Sequence, residues 1–344
     1  MTALGELTPT PQGPVPPRRW PMVLGFVSIA FLVGVLLVLS PWDHTRGQWI
    51  QDQIVVLTQP SPDDIVAIAD ATGMSDTGRL IFLASTPEVE QADRFNADCN
   101  VESEGTLGCF DGSDIYIYRV TDPRLQGTIE VTGAHEMLHA AYQRLSTEER
   151  THVDAMVATA VASLPPDDPV FLAMQSYPRE QWPDEWHSRL GTEFADLGPE
   201  LETYYDRYFD DRDLVLALDT KSTALLNQLG TQLDALAAKV DALDKEVTQR
   251  SAAYDTALSA YTDDVDAFNA KADADGFDSQ AQFDKARAAL VKRQHDLEAE
   301  RAALNAKVDT YNKLVDQLTA LDADYADLYQ SLDSTDPPTE SPAP

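Results

Sequence analysis

The chain has 344 residues, 25 basic against 58 acidic, two cysteines and 43 % apolar residues. That composition excludes a disordered chain, a disulfide-dense miniprotein and a polytopic transporter. The net charge of −33 sets the surface against phosphate backbones, so no nucleic-acid partner is expected.

Residues 1–19 are too short and too poor in apolar side chains to fold alone, and read as a proline-rich cytoplasmic tail. From Trp20 to Ser40 the chain runs WPMVLGFVSIAFLVGVLLVLS, 21 residues without a charge. At 1.5 Å per residue such a helix is about 30 Å long, enough to span a bilayer. The stretch ends in LVLSPW with no A-x-A cleavage pattern, so it is expected to stay as an anchor. Arg18 and Arg19 lie on one flank and Asp43 on the other, which predicts a single-pass cell-membrane protein with its N-terminus in the cytoplasm and its bulk outside.

Two units of different composition follow. Residues 41–215 hold 33 acidic and 11 basic residues, all of the latter arginine, whereas 216–333 hold 22 acidic and 12 basic residues, eight of them lysine. The predicted domains are 41–212 and 213–333, with a disordered tail at 334–344. In the first, PSPDDIVAIADATG reads as a short helix capped by Ser61 or Asp63, and RLIFLAST as a buried strand. Cys99 and Cys109, in an oxidising compartment and with Gly105 and Gly108 between them, are expected to close a structural disulfide. DIYIYRV, from Asp114 to Val120, alternates as a strand does and is broken by Asp122-Pro123.

Next comes QGTIEVTGAHEMLHAAYQRL, proline-free and helical in pattern, with His135, Glu136 and His139 in the order H-E-x-x-H. Residues four apart share a helical face, so both imidazoles can reach one zinc ion with Glu136 beside it. Zinc lowers the pKa of a water toward neutrality, and the glutamate is the expected general base for attack on a carbonyl. With small neighbours Gly133, Ala134, Ala140 and Ala141 and a strand just upstream, the string HEMLHA resembles the active-site helix of the zincin metallopeptidases, over about residues 110 to 210. The residues after His139, AAYQRLS, offer no metzincin extension. Gluzincins take their third ligand from a glutamate on a later helix, followed by a small residue that lets the helices approach. Glu185, with Ser188 three residues on, is similar to that pattern, and Glu193, two turns along, is the alternative. Whichever of the two does not bind zinc is free to orient a histidine. His187, Tyr204, Tyr205 and Tyr208 are candidate donors to the oxyanion of the transition state. The resemblance also implies that DIYIYRV is an edge strand able to pair with an extended substrate.

Leu226, Leu229, Leu233, Leu236, Val240, Leu243 and Val247 alternate steps of three and four, and Tyr254, Tyr261, Val265 and Phe268 continue the stripe. DADGFDSQ interrupts it with Gly276 and possible caps at Asp278 or Ser279, after which Phe283, Leu290, Leu297, Leu304, Tyr311, Leu318 and Tyr325 recur at sevens. Two helices joined near Gly276 predict an antiparallel coiled-coil hairpin about 75 to 90 Å long, which can hold a protein partner. The predicted fold is thus an α+β zincin-like domain with one transmembrane helix and a helical hairpin, mostly α overall. The functional expectation is a membrane-anchored zinc metallopeptidase, with one zinc per chain and a protein or peptide substrate. The alternative is an inactive or structural zincin-like scaffold or adaptor that works through its coiled coil.

Overall fold

A computed structural model describes residues 44–99, 105–165 and 168–335. The expected cytoplasmic tail, the span Trp20–Ser40 and residues 336–344 of the expected disordered tail lie outside the described residues. Among those described, no helix is long and apolar enough to cross a membrane.

The body is mostly helical around a small mixed sheet. Its elements in order are α1 (His44–Thr58), α2 (Asp63–Ala71), α3 (Asp76–Ala84), β1 (Glu88–Glu90), α4 (Ala92–Cys99), β2 (Gly108–Phe110), β3 (Ile115–Tyr118), α5 (Thr128–Gln143), α6 (Thr147–Val161), α7 (Pro169–Ala173), α8 (Trp182–Glu193) and α9 (Pro199–Tyr205). The hairpin helices α10 (Arg212–Asp273) and α11 (Gln280–Gln330) complete the chain. The sheet order is β1-β3-β2, with β1 parallel and β2 antiparallel to β3.

Three expectations need correction. RLIFLAST forms α3 and not a strand: Ser75 caps the helix by accepting from the Gly78 amide, and Ile81, Phe82, Leu83 and Ala84 are all buried. A continuous apolar run carries no periodicity that separates a buried helix from a buried strand, and here the cap decides. Helix α2 has Pro62 at its N-cap with no side-chain cap, so neither Ser61 nor Asp63 serves. DIYIYRV does give β3, but β3 is the central strand; β2 takes the edge beside α5.

Helix α6 starts after Ser146, which forms a reciprocal capping box with Glu149. The disulfide Cys99–Cys109 is formed and ties α4 to β2. The core gathers Phe82, Ile115, Ile117, Met137, Leu138, Leu190 and Tyr205. Val215, in the first turn of α10, is fully buried in the same core, so the hairpin grows out of the body and is not hung from it. At the other end Leu328 is buried, Arg124 pairs with Asp327 at 2.7 Å, and Asn96 donates to the Ser334 carbonyl. The hairpin turns at Gly276, with Ser279 capping α11. Its register is held by Arg250 on Glu300, Lys307 on Glu246 and Arg293 on Asp264.

Candidate metal centre

Helix α5 follows Gly127, which adopts φ +102, a left-handed conformation that glycine reaches without strain. Its sequence carries no proline, and its apolar residues Met137, Leu138, Ala140 and Ala141 are buried. That burial fixes the rotation of the helix and turns His135 and His139 toward α8. Helix α8 begins with Pro183 in its first turn and the acidic pair Asp184 and Glu185 behind it, residues that suit the positive end of the helix dipole. The two helices meet closely at Gly191, where a Cβ would stand 2.4 Å from Leu138 Cδ1, while Ser188 is fully buried.

This approach brings together residues far apart in sequence. His135 Nε2 and His139 Nε2 are 3.1 Å apart. Glu185 Oε1 lies 3.7 Å from His135 Nε2, and Oε2 lies 3.5 Å from His139 Nε2. Two ligands of a tetrahedral zinc ion, each 2.0–2.1 Å from it, stand about 3.3 Å apart, so the three donors fit such an ion. His135, Glu136 and His139 form a group able to hold a metal, with donor atoms all within 4.8 Å of one another.

Two residues outside the sequence reading support the donors. Asp184 Oδ1 is 2.8 Å from His139 Nδ1, which fixes the ring and leaves Nε2 to face Glu185. Arg189 donates through Nε to Glu185 Oε1 at 2.8 Å and through Nη1 to Glu193 at 3.2 Å. Glu193 is therefore held by Arg189, and the orienting of a histidine falls to Asp184. In the sequence Asp184 is marked only as one of two adjacent acids in the first turn of α8. Gly108 on β2, read in the sequence only as part of the disulfide loop, has a role here too: a Cβ there would come 2.7 Å from Glu136 Oε1, so only glycine lets the strand lie against that carboxylate.

The charges are strongly perturbed. Burial pushes the Glu136 carboxyl up to about 7, against the pull of His139. Burial also raises Glu185, but hydrogen bonds from His135 and His139 and the charge of Arg189 outweigh it and hold the carboxyl well below the usual range. For His139 burial lowers the pKa, yet its bonds to Asp184 and Glu185 leave it well above the ordinary value. Burial lowers His135.

His187, Tyr204, Tyr205 and Tyr208 lie in a buried layer. His187 Nε2 is 2.8 Å from the Tyr204 hydroxyl, which sits 3.4 Å from that of Tyr208, and Tyr205 donates to the His187 carbonyl. Burial, reinforced by the nearby histidines, drives His187 down to about 3, so its ring is neutral. The three hydroxyls and His187 Nε2 are thus engaged within the layer, while His187 Nδ1 is buried without a hydrogen-bond partner. Tyr177, which the sequence did not single out, is only partly buried and has Arg189 over its ring at 5.9 Å; burial first, then the charge of Glu185, raises its hydroxyl pKa.

No family model matches the chain, and neither the curated proteins nor the solved structures contain a match to it.

Proposed function

We propose that the chain is a zinc-dependent metallopeptidase of zincin type, anchored in the membrane by residues 20–40 and working on protein or peptide substrates outside the cytoplasm. The observation that supports it best is the placing of Glu185, 46 residues beyond His139, against the Nε2 atoms of both histidines. His135, His139 and Glu185 would hold the ion. When bound, zinc supplies a Lewis acid and lowers the pKa of water toward neutrality.

Glu136 is the general base: its carboxylate takes the proton of the attacking water and passes it to the leaving amine. Burial raises this carboxyl in the metal-free chain, which favours its holding the proton between the two halves of that transfer. Gly108 gives β2 its place beside Glu136, so the sheet edge for an extended peptide is β2. Tyr177 takes over from the buried tyrosines as the donor to the developing oxyanion. Asp184 and Arg189 keep His139 and Glu185 in position.

Glu136→Gln tests the mechanism. It should retain zinc while peptide hydrolysis falls by about 10²-fold or more. Hydrolysis at the parental rate would refute the role of Glu136.

A further inference from the structure

Helix α1 has two faces. Asp52 is 4 % exposed and accepts from Arg144 Nε and Nη2 at 3.0 Å each, which clamps α1 onto the C-terminal end of α5, the helix that carries His135 and His139. Ile50 and Ile54 lie two residues to either side of Asp52, and at 100° per residue they stand on the opposite face, together with Leu57. Spacings of four and three make these a single stripe. Ile54 is 54 % and Leu57 79 % exposed, and Trp49, at the side of the stripe, is 57 % exposed. An acidic molecule thus presents a rigidly held apolar face. From His44 to Pro62 the one acidic residue is Asp52, and it is buried against Arg144.

The sequence says what lies next to that face. The uncharged run Trp20–Ser40 ends three residues before α1, a gap that bridges about 11 Å at full extension. In the sequence, Pro41 stands as a helix breaker between the run and α1. We infer that α1 lies flat in the interface of the bilayer, with Ile50, Ile54 and Leu57 seated at the boundary of headgroups and acyl chains. The inference rests on residues 20–40 being a membrane span and goes beyond it, since a span alone leaves the body free to tumble on its tether. A seated α1, joined to α5 through Asp52 and Arg144, holds the metal site at one height and one orientation above the lipid.

The occupant is lipid: an apolar stripe without carboxylates, three residues from a hydrocarbon span, meets that surface before any other. The test uses the full chain in phosphatidylcholine vesicles. Cys99 and Cys109 are bonded to each other, so a spin label reacts only with an introduced cysteine. Labels go at Ile54→Cys, Leu57→Cys, Leu258→Cys on the exposed side of the hairpin, and Val27→Cys within the run, and power saturation with oxygen and a nickel chelate reads their depth. The inference predicts Val27 deep in the hydrocarbon, Ile54 and Leu57 about 5–10 Å into the interface, and Leu258 in water. Val27 deep with Ile54 and Leu57 as exposed to the chelate as Leu258 would overturn the seating of α1 and leave the anchor standing. Val27 in water would overturn the anchor and the seating with it. Spin–spin broadening between Leu57 labels, with chelate excluded and no depth signal, would assign the stripe to a second copy of the chain and overturn the lipid.

Discussion

The α5–α8 body and the α10–α11 hairpin are built on opposite terms. In the body, Leu138, Leu190, Tyr205 and Phe82 are at or below 1 % exposure, and ionisable groups are buried among them. Along the hairpin Leu297 and Leu328 are buried, but most of the seam is half-exposed, and ion pairs such as Arg250 on Glu300 recur down its length. The body depends on a few close approaches between distant segments. The hairpin repeats one local pattern, so no single residue decides it.

Paired truncations should break or confirm this contrast most sharply. Leu190→Ala should cost about 2–5 kcal/mol in denaturant unfolding, because a fully enclosed site cannot collapse around the gap. Leu258→Ala, at a position 40 % exposed, should cost under about 0.5 kcal/mol. Equal losses would show that the hairpin is packed as tightly as the body. A matched pair of glycines sharpens the point with opposite signs. Gly191→Ala drives a methyl into Leu138 and should destabilise by about 1–3 kcal/mol, whereas Gly230→Ala, whose Cβ meets only Tyr325 at 4.0 Å, should stabilise by about 1 kcal/mol.

Asp184→Asn probes the site within the body: with His139 less firmly held, zinc affinity should fall about 10- to 100-fold in a competition titration, and unchanged affinity would remove Asp184 from the support of the ligand. Excising the hairpin between Glu246 and Lys307, which face each other, and closing it with a short turn should leave zinc content unchanged. A cut at residue 214 would not be a fair version of this experiment, because it removes Val215 from the core.

The smallest effect concerns Glu193. Burial, only partly offset by Arg189, raises its carboxyl from 4.5 to about 7 in the metal-free chain. A folded state that resists the charged form has this group's full contribution below pH 4.5 and loses it as pH rises through about 7. The Tm of the parent minus that of Glu193→Gln should therefore decline across that window. A flat or rising difference would contradict the burial of an ionisable Glu193.

The same contrast governs what the sequence made legible. Heptads, the Gly276 turn and the Ser279 cap are local, and they gave the hairpin closely. H-E-x-x-H is likewise local, since one helix places both imidazoles. Long-range placement was less readable. Ser188, the small residue that the sequence offers after Glu185, is fully buried, but the closest approach to α5 through Leu138 is at Gly191, which no motif marks. Asp184 and Gly108 acquire meaning only when α8 and β2 meet α5, and no periodicity in the chain encodes those meetings. The strand expected from RLIFLAST failed for a different reason: a continuous apolar run looks alike in either conformation, and the deciding signal, the Ser75 cap, lies four residues ahead of it.

The central claim is that His135, His139 and Glu185 hold one zinc ion. Elemental analysis of the full chain, alongside Glu185→Ala and Glu193→Ala, tests it directly. The geometry predicts about one zinc per chain in the parent and in Glu193→Ala, and its loss in Glu185→Ala. Zinc retained by Glu185→Ala but lost from Glu193→Ala, or no zinc in the parent after reconstitution, would contradict it.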